Sequence, residues 1–77
     1  MAEPVPHRID VTGEVCPMTF VRTKLKLERL AVGELLAVRL NDGEPLRNVP
    51  RAAREEGHEI VSIVADGAAH LVTIRKA

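Results

Sequence analysis

Cys16 is the only cysteine in a chain of 77 residues, and Pro17 follows it directly. A thiol in that setting is either a small buried hydrophobe or, once ionised, a nucleophile and sulfur acceptor. Proline is favoured in the first turn of a helix, where its missing N–H would have been unpaired anyway. The sequence therefore predicts a helix from Pro17 to about Leu30, with Cys16 just before it. There the sulfur lies near the positive end of the helix dipole and the free N–H groups of the first turn. A free cysteine titrates near about pH 8.5, and a helix N-terminus lowers that by about one to several units. Both readings of Cys16 stay open on these grounds.

The other residues narrow the chemistry. One cysteine forms no internal disulfide, cannot resolve a thioredoxin-type redox cycle and is too few for a cysteine-based zinc site. His7, His58 and His70 fall at or near strand starts, without helical or metal-ligand spacing to Cys16. They are expected at the surface or at sheet edges, with a spatial Cys–His pair as the alternative. No metal and no cofactor is expected. A single activated thiol with no evident general base suits passing a group along while partners supply the remaining chemistry.

Three faces compete on the predicted first helix. Phe20, Thr23, Leu27 and Leu30 form the expected core stripe, and Arg22, Lys26 and Arg29 a basic stripe. Met18, Val21 and Leu25 form a third row beside Cys16. Either that row is an exposed apolar patch of the kind that marks partner surfaces, or one broad face buries it. The basic stripe has two readings as well, a solvated face or a binding site.

The remaining elements follow from periodicity and turn chemistry. Residues 1–6 hold two prolines and read as a flexible tail, leaving 7–77 as a single domain. His7–Val11, Leu35–Leu40, Glu59–Ala65 and Ala69–Arg75 read as strands, the last two joined through Asp66-Gly67 as a hairpin. A second helix lies within 45–56 and ends at Gly57, a good residue just past a helix. Pro50 leaves its start open, near Asn48 or earlier with the proline in an early turn. The order βαβαββ implies an α/β (α+β) two-layer sandwich: a mixed four-stranded sheet with both helices on one face.

Composition sets outer bounds. A hydrophobic fraction of 45% and a charged fraction of 29% suit a globular fold. So short a domain buries only about 60% of its unfolded surface, which favours a carrier, binding module or subunit over a self-sufficient enzyme. Eleven basic and eleven acidic residues balance, and Phe20 is the only aromatic. Neither a global field nor base stacking draws the chain to nucleic acid. The N-terminus lacks the apolar core of a secretory signal, and no apolar run approaches the ~18 residues of a membrane span. A reduced, cytoplasmic setting with no membrane role is expected.

The stretch GEVCPMTFVRTKLKLERLAVGE resembles the signature of the TusA/SirA-type sulfur-carrier (sulfurtransferase) proteins. That family has a glycine three residues before Cys-Pro, a helix, then Gly-Glu before the second strand, in a βαβαββ sandwich. Asp42, Arg47, Pro50 and Gly57-His58 extend the match, which runs from about Ile9 to Arg75. One position departs: the family pattern is Cys-Pro-x-Pro, and Thr19 stands where the second proline would be.

The resemblance implies that Cys16 carries sulfane sulfur as a persulfide, acting as a carrier rather than a stand-alone enzyme. Gly13 and Pro17 are then supporting motif residues. Asp42 and Arg47 match polar positions near the active end, where Arg47 either attracts an anion or is a plain surface charge. The implied partners are a cysteine desulfurase or other persulfide donor and a downstream acceptor, with tRNA met only indirectly. The implied destinations are tRNA thiolation, molybdenum-cofactor assembly or sulfur oxidation. A second reading is a non-catalytic interaction module that binds a partner through Met18, Val21 and Leu25, flanked by Arg22 and Lys26. An RNA-binding module using Arg22, Lys26 and Arg29 is a third.

Overall fold

The computed structural model describes residues 6–15 and 17–77. Cys16 and, except for Pro6, the expected tail lie outside the described residues. The elements run β1 (His7–Asp10), α1 (Met18–Glu28), β2 (Leu35–Asn41), α2 (Glu44–Glu55), β3 (Glu59–Asp66) and β4 (Ala69–Arg75). The strands form one mixed sheet in the order β1-β2-β4-β3. β1 runs parallel to β2, while β4 is antiparallel to both β2 and β3.

Alternation decides which side chains meet the helices. Leu36, Val38 and Leu40 of β2 and Val72 and Ile74 of β4 are fully buried with Val11, Leu27 of α1, and Val49 and Ala53 of α2, packing both helices over one face of the sheet. The opposite face carries Arg8, Asp10, Arg39 and Asp66 around Ala37 and Leu71. There Arg39 spans the sheet, its Nε 3.1 Å from Asp66 Oδ2 and its Nη1 3.4 Å from Asp10 Oδ2.

Several local expectations change. Pro17 is the cap residue before α1 rather than its first helical residue. The buried residues within α1 are Thr19, Thr23 and Leu27, while Phe20 is only half-buried against the core. A threonine can serve a core face because its hydroxyl bonds back along the helix: Thr23 Oγ1 donates to the Thr19 carbonyl at 2.8 Å. Pro50 neither starts α2 nor sits in its first turn; it lies buried in the helix interior. Its ring removes one internal hydrogen bond, a loss of about 3 kcal/mol in an ordinary helix. Burial beside Val49 and Ala53 on the core face offsets that loss.

α2 ends as the glycine predicted. The Gly57 N–H donates to the Arg54 carbonyl and the His58 N–H to the Ala53 carbonyl, with Gly57 at φ +94°. This is the paired capping pattern that a left-handed residue after the helix permits. The hairpin loop is Gly67-Ala68, because Asp66 and Ala69 are still paired; Gly67, at φ +62°, supplies the positive φ of the first loop position. β3 carries a bulge between Ile60 and Ser62. The bulge adds Val61 and resets the alternation, so Ile63 pairs with Val72 and Val64 with Leu71.

Candidate functional site

The registers bring three connections to one end of the sheet. Asp10 pairs with Arg39, Asn41 with Ala69, and Asp66 with Ala69. The β1–α1 loop, the β2–α2 loop and the β3–β4 turn therefore share the end where the parallel pair β1/β2 has its carboxyl termini. Outside such strand ends is the usual place for a ligand site in α/β sheets. Gly13, Pro17 and Asp42 all belong to these connections, and Arg47 lies one turn into α2 from the same end.

The loop that leads to Pro17 is anchored on both sides of its turn. Val11 N–H still bonds to the Arg39 carbonyl at 2.9 Å, and Glu14 N–H returns to the Val11 carbonyl at 3.0 Å. Asp10 Oδ1 accepts from the Thr12 backbone N–H at 2.9 Å and from its hydroxyl at 2.6 Å. These bonds, the hydroxyl's first, hold the Asp10 carboxyl below its ordinary range, with Arg39 adding to them. Asn41 Nδ2 donates to the Thr12 carbonyl at 2.8 Å and so fastens the end of β2 to this loop. Gly13 has no positive φ, and a Cβ there would meet nothing within 4 Å. Neither conformation nor space demands glycine at that position.

The start of α1 is electrostatically bare. The first turn holds no acidic residue, and Pro17 supplies no side-chain cap. Met18 N–H turns back to the Val15 carbonyl at 2.8 Å, and Val21 N–H reaches the Pro17 carbonyl at 3.1 Å. No carboxylate on the first turn cancels the partial positive charge of the helix end. Around it, Val15, Met18, Val21 and Leu25 are exposed by 36% to 76%. The last three share one helix face, and Val15, which has no place in a helical period, extends it into the loop. Arg22 is not a free cation of this surface: its Nη1 pairs with Glu14 Oε1 at 2.8 Å. Lys26 is half-buried near the far end of the helix.

Asp42 and Arg47 are both exposed and form no bond to each other. Asp42 Oδ1 accepts from the Gly43 N–H at 2.9 Å, a turn-forming bond ahead of α2. The histidines separate: His7 Nε2 meets Glu34 Oε2 at 3.0 Å, and His58 Nδ1 accepts from the Ala77 N–H at 3.0 Å. His70 stands at the loop end of β4, half-buried rather than at a sheet edge, and its buried Nδ1 has no hydrogen-bond partner among the described residues. Among the described residues no group of three or more His, Cys, Asp or Glu is placed to hold a metal ion. No helix among them is long and apolar enough to cross a membrane.

Comparison with known proteins agrees with this architecture. The family model "Sulfurtransferase TusA" matches residues 7–76. A protein of Archaeoglobus fulgidus named "Putative sulfur carrier protein" is 49% identical over 55 residues, which is 71% of this chain and 62% of that one. The chain thus spans less than two thirds of that relative's length. Escherichia coli YedF, similarly named, is 34% identical over 61 residues, 79% of each chain. The crystal structure of a SirA-like protein from Desulfitobacterium hafniense superposes with a TM-score of 0.78 at 27% identity, covering 88% of this chain and 93% of that one. The mixed four-stranded sheet with two helices over it, and a family match across nearly the whole chain, identify this protein as a member of the TusA family of sulfurtransferases.

Proposed function

We propose that this protein is a sulfur carrier whose Cys16 takes up sulfane sulfur as a persulfide and hands it to an acceptor. The observation that carries the reading is the uncompensated start of α1 directly after the lone cysteine, in a chain of the TusA family. The Cys16 thiolate attacks the terminal sulfur of a donor persulfide. A new S–S bond forms on Cys16, the donor's S–S bond breaks, and the donor thiolate leaves. In the second step an acceptor nucleophile attacks the terminal sulfur of Cys16–S–SH, and the Cys16 thiolate is released. Both steps move sulfane sulfur without net oxidation, so they suit a reducing, cytoplasmic compartment.

Gly13 and Pro17 shape the approach to the thiol, and Asp42 lies on the neighbouring loop. Val15, Met18, Val21 and Leu25 form the docking surface for the donor, typically a cysteine desulfurase, and for the acceptor protein. The sulfur is destined for tRNA thiolation, molybdenum-cofactor assembly or sulfur oxidation, and tRNA itself is met through the acceptor. Transfer of label from radioactive cysteine through a desulfurase tests the assignment of roles. Cys16→Ser abolishes uptake, whereas Val21→Glu slows uptake and leaves the thiol reactive to a small alkylating agent. The exposed apolar row also supports a second reading, a non-catalytic interaction module. That reading requires Cys16→Ser to retain partner binding and cellular function while Val21→Glu loses both.

A further inference from the structure

The sheet ends at β3, whose outer edge pairs with no other strand among the described residues. A free edge offers unpaired N–H and C=O groups, which proteins usually protect with lysine, proline, shortness or a bulge, and the β3 bulge at Ile60/Ser62 leaves the run from Ile63 to Asp66 regular. β3 has eight residues, contains neither lysine nor proline, and exposes Val61, Ile63 and Val64 by 42% to 50%. Ile63 pairs with the core residue Val72, so it points to the helix side and is left open beyond α2.

A second feature stands beside this edge. Arg47, Arg51 and Arg54 follow one another at i, i+4 and i+7, one row along α2. All three are exposed, and none pairs with a carboxylate among the described residues; Arg51 reaches only Asn48 Oδ1, at 3.3 Å. Glu56, which joins Lys24 of α1 at 3.1 Å, lies roughly half a turn around from the row. The arginines thus occupy the flank of α2 away from α1, toward β3.

We propose that the groove between α2 and the outer edge of β3 receives an extended, acidic segment of a partner protein as an added strand. The edge supplies main-chain hydrogen bonds; the arginine row, on the helix side, meets the acidic side chains, and Val64, which pairs with Leu71 on the opposite face, packs against the alternate apolar ones. A second copy of this chain fits poorly. Two β3 edges paired antiparallel about a two-fold axis would bring both arginine rows to one face of the joined sheet, across the seam from each other. Nucleic acid fits poorly too, because neither β3 nor α2 holds an aromatic residue on which a base could stack. The test is run on Cys16→Ser protein, so it does not depend on sulfur loading.

The probe is a blocked eight-residue peptide alternating Glu and Val, titrated at low salt while backbone amides are followed by NMR. The amides of β3 shift and exchange more slowly with solvent as the peptide is added. N-methylation of alternate peptide amides removes the effect. Arg51→Glu with Arg54→Glu weakens binding by about tenfold while leaving the unfolding midpoint unchanged. The proposal is overturned by an absence of binding, by equal binding of a Lys-for-Glu peptide, or by shifts that avoid β3. Sedimentation showing a dimer that protects β3 without peptide would equally overturn it, as would a single-stranded oligonucleotide that outcompetes the peptide.

Discussion

Arg22 Nη1 lies 2.8 Å from Glu14 Oε1, an ion pair between residues that flank positions 15–21 in sequence. The contact joins the loop leaving β1 to the second turn of α1. It also neutralises the acid nearest in sequence to the thiol. The side chains are 49% and 33% exposed, so the pair contributes only about 0–1 kcal/mol to stability. Its consequence is electrostatic. Arg22→Ala leaves the Glu14 charge uncompensated and slows alkylation of Cys16 near neutral pH. Adding Glu14→Gln to that variant restores the rate. The pH dependence of thiol alkylation by iodoacetamide checks both effects, and identical curves for the three proteins would refute them.

α1 presents unequal faces, and truncation distinguishes them. Leu27 is 1% exposed within the core, so Leu27→Ala lowers unfolding free energy by about 2–5 kcal/mol. Leu25→Ala, two residues away on the open face, changes it by less than about 0.5 kcal/mol. Urea titrations of the two variants make the comparison. Similar losses at both positions would mean that the helix is rotated from the orientation described.

Much of this arrangement is legible in the sequence. Strand periodicity and the glycines at 57 and 67 mark the βαβαββ order to within a residue or two. What the pattern hides has identifiable causes. Thr19 is polar and falls outside the expected core stripe, yet it is buried beside Thr23, whose hydroxyl is satisfied by the Thr19 carbonyl. Pro50 suggests a boundary because its backbone rules are local, whereas its burial under the sheet is tertiary. The β3 bulge hides in a run of β-branched residues, where one extra residue changes no composition. Gly13, Pro17 and Asp42 fall at one end of the sheet, while Val15 follows no period and Arg47 groups with Arg51 and Arg54 only once the flank of α2 is known.

Acid sensitivity should come from the carboxylates that brace the sheet ends. Asp10 is held below its usual range by Thr12 and Arg39. Glu34 is held down by the Ala31 N–H at 2.7 Å and then by His7. With folded pKa values below unfolded ones, the unfolded chain binds more protons in the interval between them, and stability rises with pH there. The contribution is complete above the unfolded values, near about 4, and fades as pH falls through the folded ones. Asp10→Asn flattens the acid limb of a plot of unfolding free energy against pH. An unchanged acid limb would remove Asp10 from the account.

Together with the Val11 N–H bond to the Arg39 carbonyl, Asn41 Nδ2 ties the end of β2 to the loop before α1, donating to the Thr12 carbonyl at 2.8 Å. Asn41→Ala leaves that carbonyl to water and costs about 0.5–1.5 kcal/mol. Amide hydrogen exchange at Gly13 and Glu14 accelerates by more than at any residue of β4. Acceleration spread evenly over the chain would show instead that the bond supports global stability alone.

The central claim is that Cys16 holds sulfane sulfur. Its most direct measurement is the intact mass of the protein after incubation with a cysteine desulfurase and cysteine, without reductant. The wild-type chain gains one sulfur atom, the gain disappears on treatment with dithiothreitol, and Cys16→Ser gains nothing. A wild-type mass that stays unchanged with an active desulfurase, or a gain that survives Cys16→Ser, would contradict the claim.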